Sequence, residues 1–209
     1  MGIKERRKRE KEHRRSEILK AAKSLFFEQG FFATSMNEIA KAAELSKGTL
    51  YLYFKNKEEL YISLQIEGME LLNKAFTKAV ENKTGWEEKL RAIGWAYYQF
   101  SRNHQQFFHI NFQFQHGEIT RSTSDDLFKK CYEAVVRNLS FLSLPLEDGM
   151  VAGQIRQDEP MAIAVVLWGS LTGIILLYED KDHRKFMPSS LNDLIEKSIN
   201  IQISGLKVA

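Results

Sequence analysis

SMNEIAKAAELSKGTLYLYFKNK, the stretch Ser35–Lys57, contains the start signals of two short helices joined by a tight turn. Ser35 is followed three residues later by Glu38, a capping box in which hydroxyl and carboxylate satisfy backbone N–H groups at a helix start. Ser46 offers a second N-cap, which predicts a further helix over Lys47–Phe54. The stretch is therefore typical of a unit that presents a short helix to a partner.

The second of these helices has one face suited to a core and another suited to DNA. At 100° per residue, Leu50 and Phe54 fall on one side and can dock inward, whereas Gly48 and Leu52 fall roughly opposite. Apolar and aromatic side chains on an outward face suit a DNA groove. There, hydroxyls reach phosphate oxygens and an apolar group can contact a thymine methyl.

A third helix is predicted to begin at about Lys57, because Asn56 and Glu59 repeat the capping pattern. Lys55 and Lys57 then lie at its N-terminus, where ammonium groups and backbone N–H donors can both meet a phosphate. The helix is predicted to continue to about Val80.

Ser46–Leu60, which reads SKGTLYLYFKNKEEL, closely resembles the recognition helix and the next helix start of the TetR (tetracycline repressor) family of transcriptional regulators. The resemblance extends back through Ile18–Phe26 and Gln29–Phe31, over about the first third of the chain. It implies an all-α fold of about nine helices. An N-terminal basic arm and three-helix DNA-binding domain with a helix-turn-helix would occupy residues 1–57, and a helical effector-binding and dimerisation domain would occupy residues 58–209.

The same resemblance places ten residues at DNA-facing positions: Ser35, Asn37, Lys47, Gly48, Thr49, Tyr51, Leu52, Tyr53, Lys55 and Lys57. Asn37 and Lys47 are the best candidates for reading bases, through amide contact with adenine and ammonium contact with guanine. Phosphate contacts are expected from Thr49, Tyr51, Tyr53 and Lys57. Two such helices related by a twofold axis would read a palindromic operator with half-sites about 34–36 Å apart.

Composition and charge agree with a DNA-binding protein. The first 60 residues carry fourteen Lys and Arg against nine Asp and Glu, a net charge of +5, and the remainder carries −2. Basic character is thus concentrated where phosphates are expected. The single cysteine, Cys131, excludes an intrachain disulfide, and no N-terminal apolar run resembles a signal peptide, so a cytoplasmic location is expected.

Residues 1–15 are dominated by Lys and Arg. They fit a solvated, frayed arm, an arm that lies along phosphates or in the minor groove, or, more remotely, a localisation signal. A first helix is predicted after them, with an apolar stripe from Ile18 to Phe26 and Gly30 as C-cap.

The segment Trp86–Phe114 is unusually aromatic and also contains histidines and amides. Core packing is the default interpretation, and the segment also fits a largely apolar ligand cavity with a few orienting polar contacts. The family resemblance favours an effector pocket here for a largely apolar small molecule. Its candidate ligand-binding residues are Trp95, Tyr98, Phe108, His109, Phe112 and Trp168.

A metal site is a weaker interpretation of the same region. His104, His109, His116 and Glu118 do not provide two ligands at i and i+4 on one helix, and no second cysteine is present. No phosphate-binding loop, nucleophile elbow or acid pair is evident. We therefore predict no metal, no cofactor and no catalytic residue, with a metal-dependent enzyme or carrier as the alternative from another class.

The C-terminal half is predicted to form three more helices. The first covers Thr120 to about Ser143 and is expected to kink or end at Pro145. The second, Met161–Tyr178, is apolar on all sides but has acidic flanks without Lys or Arg, so we interpret it as a helix covered by its own domain and by a partner rather than as a membrane span. The last is Ser189–Gly205.

The last two helices resemble the dimer element of the family. The candidate dimer-interface residues are Trp168, Gly169, Gly173, Leu176, Leu191, Ile195 and Ile199. The sequence as a whole predicts a homodimeric, ligand-controlled repressor that binds double-stranded DNA and no membrane, and an activator or co-repressor-dependent regulator of the same fold is the alternative.

Overall fold

The computed structural model describes residues 2–112 and 123–208, without the side chains of Ile3 and Phe112. These residues form ten α-helices and no β-strand: α1 (Ile3–Gln29), α2 (Met36–Ala42), α3 (Lys47–Tyr51), α4 (Lys57–Val80), α5 (Trp86–Asn103), α6 (Gln105–Phe112), α7 (Asp125–Val151), α8 (Pro160–Glu179), α9 (Lys181–Arg184) and α10 (Leu191–Leu206). The all-α class predicted from the sequence is confirmed.

Two of the long helices, α1 and α7, differ clearly from their predicted bounds. Helix α1 begins at Ile3, so the basic N-terminal segment is helical and continuous with the first core helix. Helix α7 continues through Pro145 to Val151, so of the two predicted outcomes, a kink or an end at Pro145, the end is wrong. A proline removes one backbone hydrogen bond, but the buried side chains of Leu142 and Leu146 on either side hold this helix against the core.

The chain separates into two compact units. The first unit contains Met1–Gly68 and Gln106–Tyr132, and the second contains Met69–Gln105 and Glu133–Ala209. Helix α4 supplies core residues to the first unit, and the predicted domain boundary after residue 57 stays a prediction. Leu60 and Leu64 are fully buried there.

Aromatic packing and buried hydrogen bonds join α1, α4 and α6 within the first unit. The ring of Tyr61 lies 5.8 Å from that of Phe26 on α1, and its hydroxyl donates to the carbonyl of Ile110 on α6. Gly68 lets α6 approach α4 closely, since a Cβ there would lie 3.1 Å from Cδ1 of Phe107. Helix α6 is thus part of the same packed unit as α1–α3.

The core of the second unit contains α5, α8 and α10. Gly94 on α5 lies against Ile199 of α10, and a Cβ at position 94 would come within 2.8 Å of its Cδ1 atom. Trp168 Nε1 donates to the hydroxyl of Tyr97 at 2.9 Å, and that hydroxyl lies 2.7 Å from Thr172 Oγ1. Burial raises the pKa of Tyr97, so its phenol remains protonated within this network.

Helix α8 has one buried and one exposed apolar face. Leu167, Leu171 and Ile175 are buried within the second unit, whereas Val166 is 64% exposed and Leu177 is 45% exposed. By length and composition alone α8 could cross a membrane. Its buried face confirms the prediction that its own domain covers one side, and the opposite side is open to a partner.

Three predicted interface residues on α10 need correction. Leu191, Ile195 and Ile199 are buried inside their own subunit, where α10 packs against α5 and α8. They are core residues, because side chains that their own domain covers cannot form a contact surface. Trp168 is likewise engaged by Tyr97. Gly169, Gly173 and Leu176 fall on the open side of α8, and the dimer contact itself stays a prediction.

Candidate nucleic-acid interface

Local hydrogen bonds fix the starts of α2 and α3 as the sequence predicts. Ser35 Oγ accepts from the backbone N–H of Glu38 at 3.3 Å, and Glu38 Oε2 accepts from the N–H of Ser35 at 2.8 Å. The hydrogen bond from the Ser35 hydroxyl, followed by that from its backbone, lowers the pKa of Glu38. Ser46 caps α3 through the N–H of Thr49 at 3.1 Å.

Helix α3 is held from one side, and its other side is open. Leu50 and Phe54 are buried, whereas Leu52 is 79% exposed and Tyr51 is 43% exposed. A Cβ at Gly48 would meet only Ser46 Oγ, at 3.9 Å. The helix ends at Tyr51, three residues earlier than predicted. The inward docking of Leu50 and Phe54 is confirmed.

A shallow groove of about 490 Å³ lies beside α3 in the first unit. Six of the ten predicted DNA-facing residues line it: Ser35, Asn37, Lys47, Tyr51, Lys55 and Lys57. Gly48, Thr49, Leu52 and Tyr53 are not among the lining residues. Phe32 and Met36 also line the groove, and they had no sequence signal because their exposure depends on the turn between α1 and α2.

Lys57 has a different role from the phosphate contact predicted for it. Its Nζ donates to the carbonyl oxygens of Phe31 at 2.8 Å, Thr34 at 3.0 Å and Phe32 at 3.4 Å. An ammonium has three donors, and these carbonyls use all three. We therefore correct its assignment: Lys57 positions the turn before α2 against the start of α4.

Lys47 and Lys55 remain available for an anionic partner. Both side chains are exposed, and within the described parts of the chain neither ammonium forms an ion pair. Lys47 Nζ lies 6.0 Å from the centre of the Tyr51 ring. The two lysines flank α3 on the groove side, so positive charge lies where a duplex backbone would run beside an inserted helix.

The predicted ligand-binding residues are divided between the two units. Phe108 is fully buried in the first unit, and His109 lines a groove of about 500 Å³ together with Phe26, Phe31 and Tyr61. Trp95, Tyr98 and Trp168 belong to the second unit. The side chain of Phe112 lies outside the described residues. Their grouping around one ligand stays a prediction.

The histidine-rich region shows no metal centre among residues 2–112 and 123–208: no three His, Cys, Asp or Glu side chains are grouped there as metal ligands. His116 and Glu118, which the metal interpretation needs, lie outside the described residues. Burial raises the pKa of Cys131, and its thiol lies 3.9 Å from Gln65 Oε1.

Residues 18–64, which contain α2, α3 and the start of α4, match the family described as bacterial regulatory proteins, tetR family. Residues 18–64 thus form a TetR-family DNA-binding domain. This domain makes the chain a DNA-binding transcriptional regulator with a helix-turn-helix.

Two relatives match this chain along most of its length. An uncharacterised HTH-type transcriptional regulator, YhgD of Bacillus subtilis, is 29% identical over 183 residues, 88% of this chain and 93% of YhgD. The fatty acid metabolism regulator protein of B. subtilis is 23% identical over 192 residues, 91% of this chain and 94% of that protein.

A solved structure shows the same fold. It is the transcriptional regulator FadR of B. subtilis in complex with stearoyl-CoA, which matches with a TM-score of 0.72 and 23% identity over 91% of this chain and 98% of FadR. The likeness therefore extends beyond the residues that match the family model.

Proposed function

We propose that this TetR-family regulator is a homodimeric repressor that acts in the cytoplasm, binds a palindromic operator and is released by a largely apolar small molecule. The observation that carries the proposal is the orientation of α3, whose Leu50 is buried while Tyr51 and Leu52 point outward. Exposed apolar and aromatic groups beside Lys47 and Lys55 suit a major groove better than water.

The expected DNA contacts come from Lys47, Lys55 and the polar groups of the groove, and they are of two kinds. Lys47 can approach guanine and Asn37 adenine, and both line the same groove. Lys55 and the hydroxyl of Tyr51 lie beside them and suit phosphate oxygens. Base reading and backbone contact would then come from one continuous surface of the first unit.

Replacing Lys47 by glutamine tests this surface. DNA ligands would be selected from random duplexes with the wild-type protein, and their affinity measured by fluorescence anisotropy over a range of salt concentrations. Loss of a bidentate base contact costs about 1–3 kcal/mol, so we expect affinity to fall about 5- to 150-fold for each half-site at constant salt.

Lys57→Gln is the matched control. It also removes one positive charge, but the Lys57 ammonium donates to backbone carbonyls. We expect it to lower the midpoint of urea unfolding more than Lys47→Gln does. Unchanged DNA affinity of Lys47→Gln, or failure of the wild type to retain any duplex, contradicts the proposed interface.

A second copy of the chain is the proposed occupant of the open face of α8. Val165, Val166 and Leu177 are exposed there. Gly169 and Gly173 have no side chain, so a second helix can approach the backbone closely. Ile201 of α10, 65% exposed, is a further apolar side chain that a partner can cover. A twofold contact at this face would supply the two reading helices that a palindrome requires.

The effector step is supported by the position of α6 in the first unit. Gln65 on α4 donates to the Ile110 carbonyl at 3.4 Å, so a ligand that displaces α6 also acts on α4. Asn111 of α6 holds a buried Oδ1 that no group in the described residues satisfies. An unsatisfied acceptor of this kind can bind a hydrogen-bond donor on an otherwise apolar effector.

Stearoyl-CoA is the probe for this step, because the related FadR of B. subtilis was solved with it. We expect saturating stearoyl-CoA to weaken binding of the selected duplex at least about tenfold, and the duplex to weaken stearoyl-CoA binding by the same factor. Asn111→Leu is expected to reduce the effect. If stearoyl-CoA binds and DNA affinity is unchanged, the switch is wrong, and if affinity rises, the protein is a co-repressor-dependent regulator.

A further inference from the structure

The N-terminal part of α1 projects beyond the packed first unit. The helix begins at Ile3, but its first fully buried side chain is Ile18. Residues 4–14 are all exposed, and eleven helical residues extend for about 16 Å. We refer to residues 3–14 as the α1 extension. Its helical form therefore does not come from packing in a core.

The base of the α1 extension is fixed beside the reading helix. Arg15 Nη2 donates to Ser63 Oγ at 2.9 Å, and its guanidinium lies 4.2 Å above the centre of the Phe54 ring. Phe54 lies three residues after the end of α3 and is buried. The α1 extension thus leaves the first unit next to the connection between α3 and α4.

The charges of the α1 extension are unevenly paired. Arg6 and Glu10 form an ion pair of 2.8 Å, and Lys8 and Glu12 one of 3.9 Å. In contrast, Lys4, Arg7 and Lys11 form no hydrogen bond or ion pair among the described residues. Their spacing of i, i+3 and i+7 places all three on one face of the helix.

This basic stripe is unfavourable for the isolated protein. Like charges three or four residues apart destabilise a helix by a few tenths of a kcal/mol per pair, and a short exposed helix has little stability of its own. A polyanion removes the repulsion and gains from counterion release. The stripe spans about 10 Å of helix, and a duplex offers one phosphate charge per roughly 1.7 Å of its axis.

We propose that the α1 extension binds the phosphate backbone of duplex DNA beside the half-site read by α3, with Lys4, Arg7 and Lys11 facing the phosphates. The inference rests on the proposed function and adds a second, sequence-independent DNA contact to it. It also resolves the alternatives left open for residues 1–15 in favour of the phosphate-binding arm.

Two double variants of equal charge test the proposal. Arg7→Gln/Lys11→Gln removes two charges from the stripe, and Arg6→Gln/Arg9→Gln removes two from the other side of the same helix. Both would be measured on one duplex, selected from random DNA by the wild-type protein and flanked by additional base pairs. Each lost phosphate contact lowers the salt slope of log K by about 0.9. The stripe variant loses two contacts in each subunit of the proposed dimer, so we expect the slope to fall by about 3.6.

The control variant, Arg6→Gln/Arg9→Gln, is expected to change the salt slope by less than half as much as the stripe variant. Hydroxyl-radical footprinting should show a protected flank that only the stripe variant loses. Equal slope changes in both variants, or none in either, overturn the proposal while the helix-turn-helix contact stands. If the wild type binds no duplex, the proposal and the proposed function both fail.

Discussion

Replacing Val166 by glutamate is expected to convert the protein into a monomer and to weaken operator binding at least about 100-fold. Val166 is 64% exposed on the open face of α8, where the proposed twofold contact would bring two copies together. Burying an unpaired carboxylate costs several kcal/mol, and the twofold axis would bring two of them close. A loss of only about 2.7 kcal/mol of binding free energy corresponds to a 100-fold lower affinity.

Sedimentation velocity would measure the oligomeric state of the Val166→Glu variant, and anisotropy its affinity for the selected duplex. Val151→Glu is the matched control, since Val151 is 90% exposed and lies on another helix, at the end of α7. We expect the control to remain dimeric and to bind DNA like the wild type. A dimeric Val166→Glu variant with unchanged affinity would exclude this face as the interface.

Leu50→Ala is expected to destabilise the protein by about 2–5 kcal/mol, the range for truncating a fully buried leucine. Leu50 has no exposed surface and holds α3 against the first unit. Urea unfolding followed by far-UV circular dichroism would measure the loss, and hydrogen exchange should place the faster-exchanging amides within residues 18–64. DNA binding should fall with the loss of α3 orientation.

Leu52→Ala is the same substitution two residues away, with the opposite expected outcome. Leu52 is 79% exposed, so we expect stability within about 0.5 kcal/mol of the wild type. DNA affinity should still fall, because an apolar contact with the groove is lost. Equal destabilisation by Leu50→Ala and Leu52→Ala would show that α3 is not docked in the described orientation.

The local structure around the groove beside α3 was largely predictable because short-range hydrogen bonds define the helix starts there. Ser35 and Ser46 each bond a residue only three positions away, and such caps can be read from the sequence. Helical periodicity then predicted that Leu50 faces inward and Leu52 faces outward. The role of Lys57 was not predictable, because its carbonyl partners lie 23–26 residues earlier in the chain.

The ligand and dimer residues show where sequence reasoning is weaker. The aromatic residues of α5 and α6 follow each other closely in the chain, yet Tyr98 belongs to the second unit and Phe108 to the first. On α10, the periodic stripe of Leu191, Ile195 and Ile199 is real, but it faces the core. Periodicity identifies an apolar face without saying which neighbour covers it.

The sequence by itself determined the all-α class, the starts of α2, α3 and α4, and the inward docking of Leu50 and Phe54, because these depend on residues within one or two helical turns. Only the tertiary structure decided that α10 turns its stripe inward, that α8 leaves one apolar face open, and that the α1 extension stands clear of the core. Those outcomes depend on contacts between helices far apart in the chain, such as Gly94 against Ile199, which no local pattern specifies.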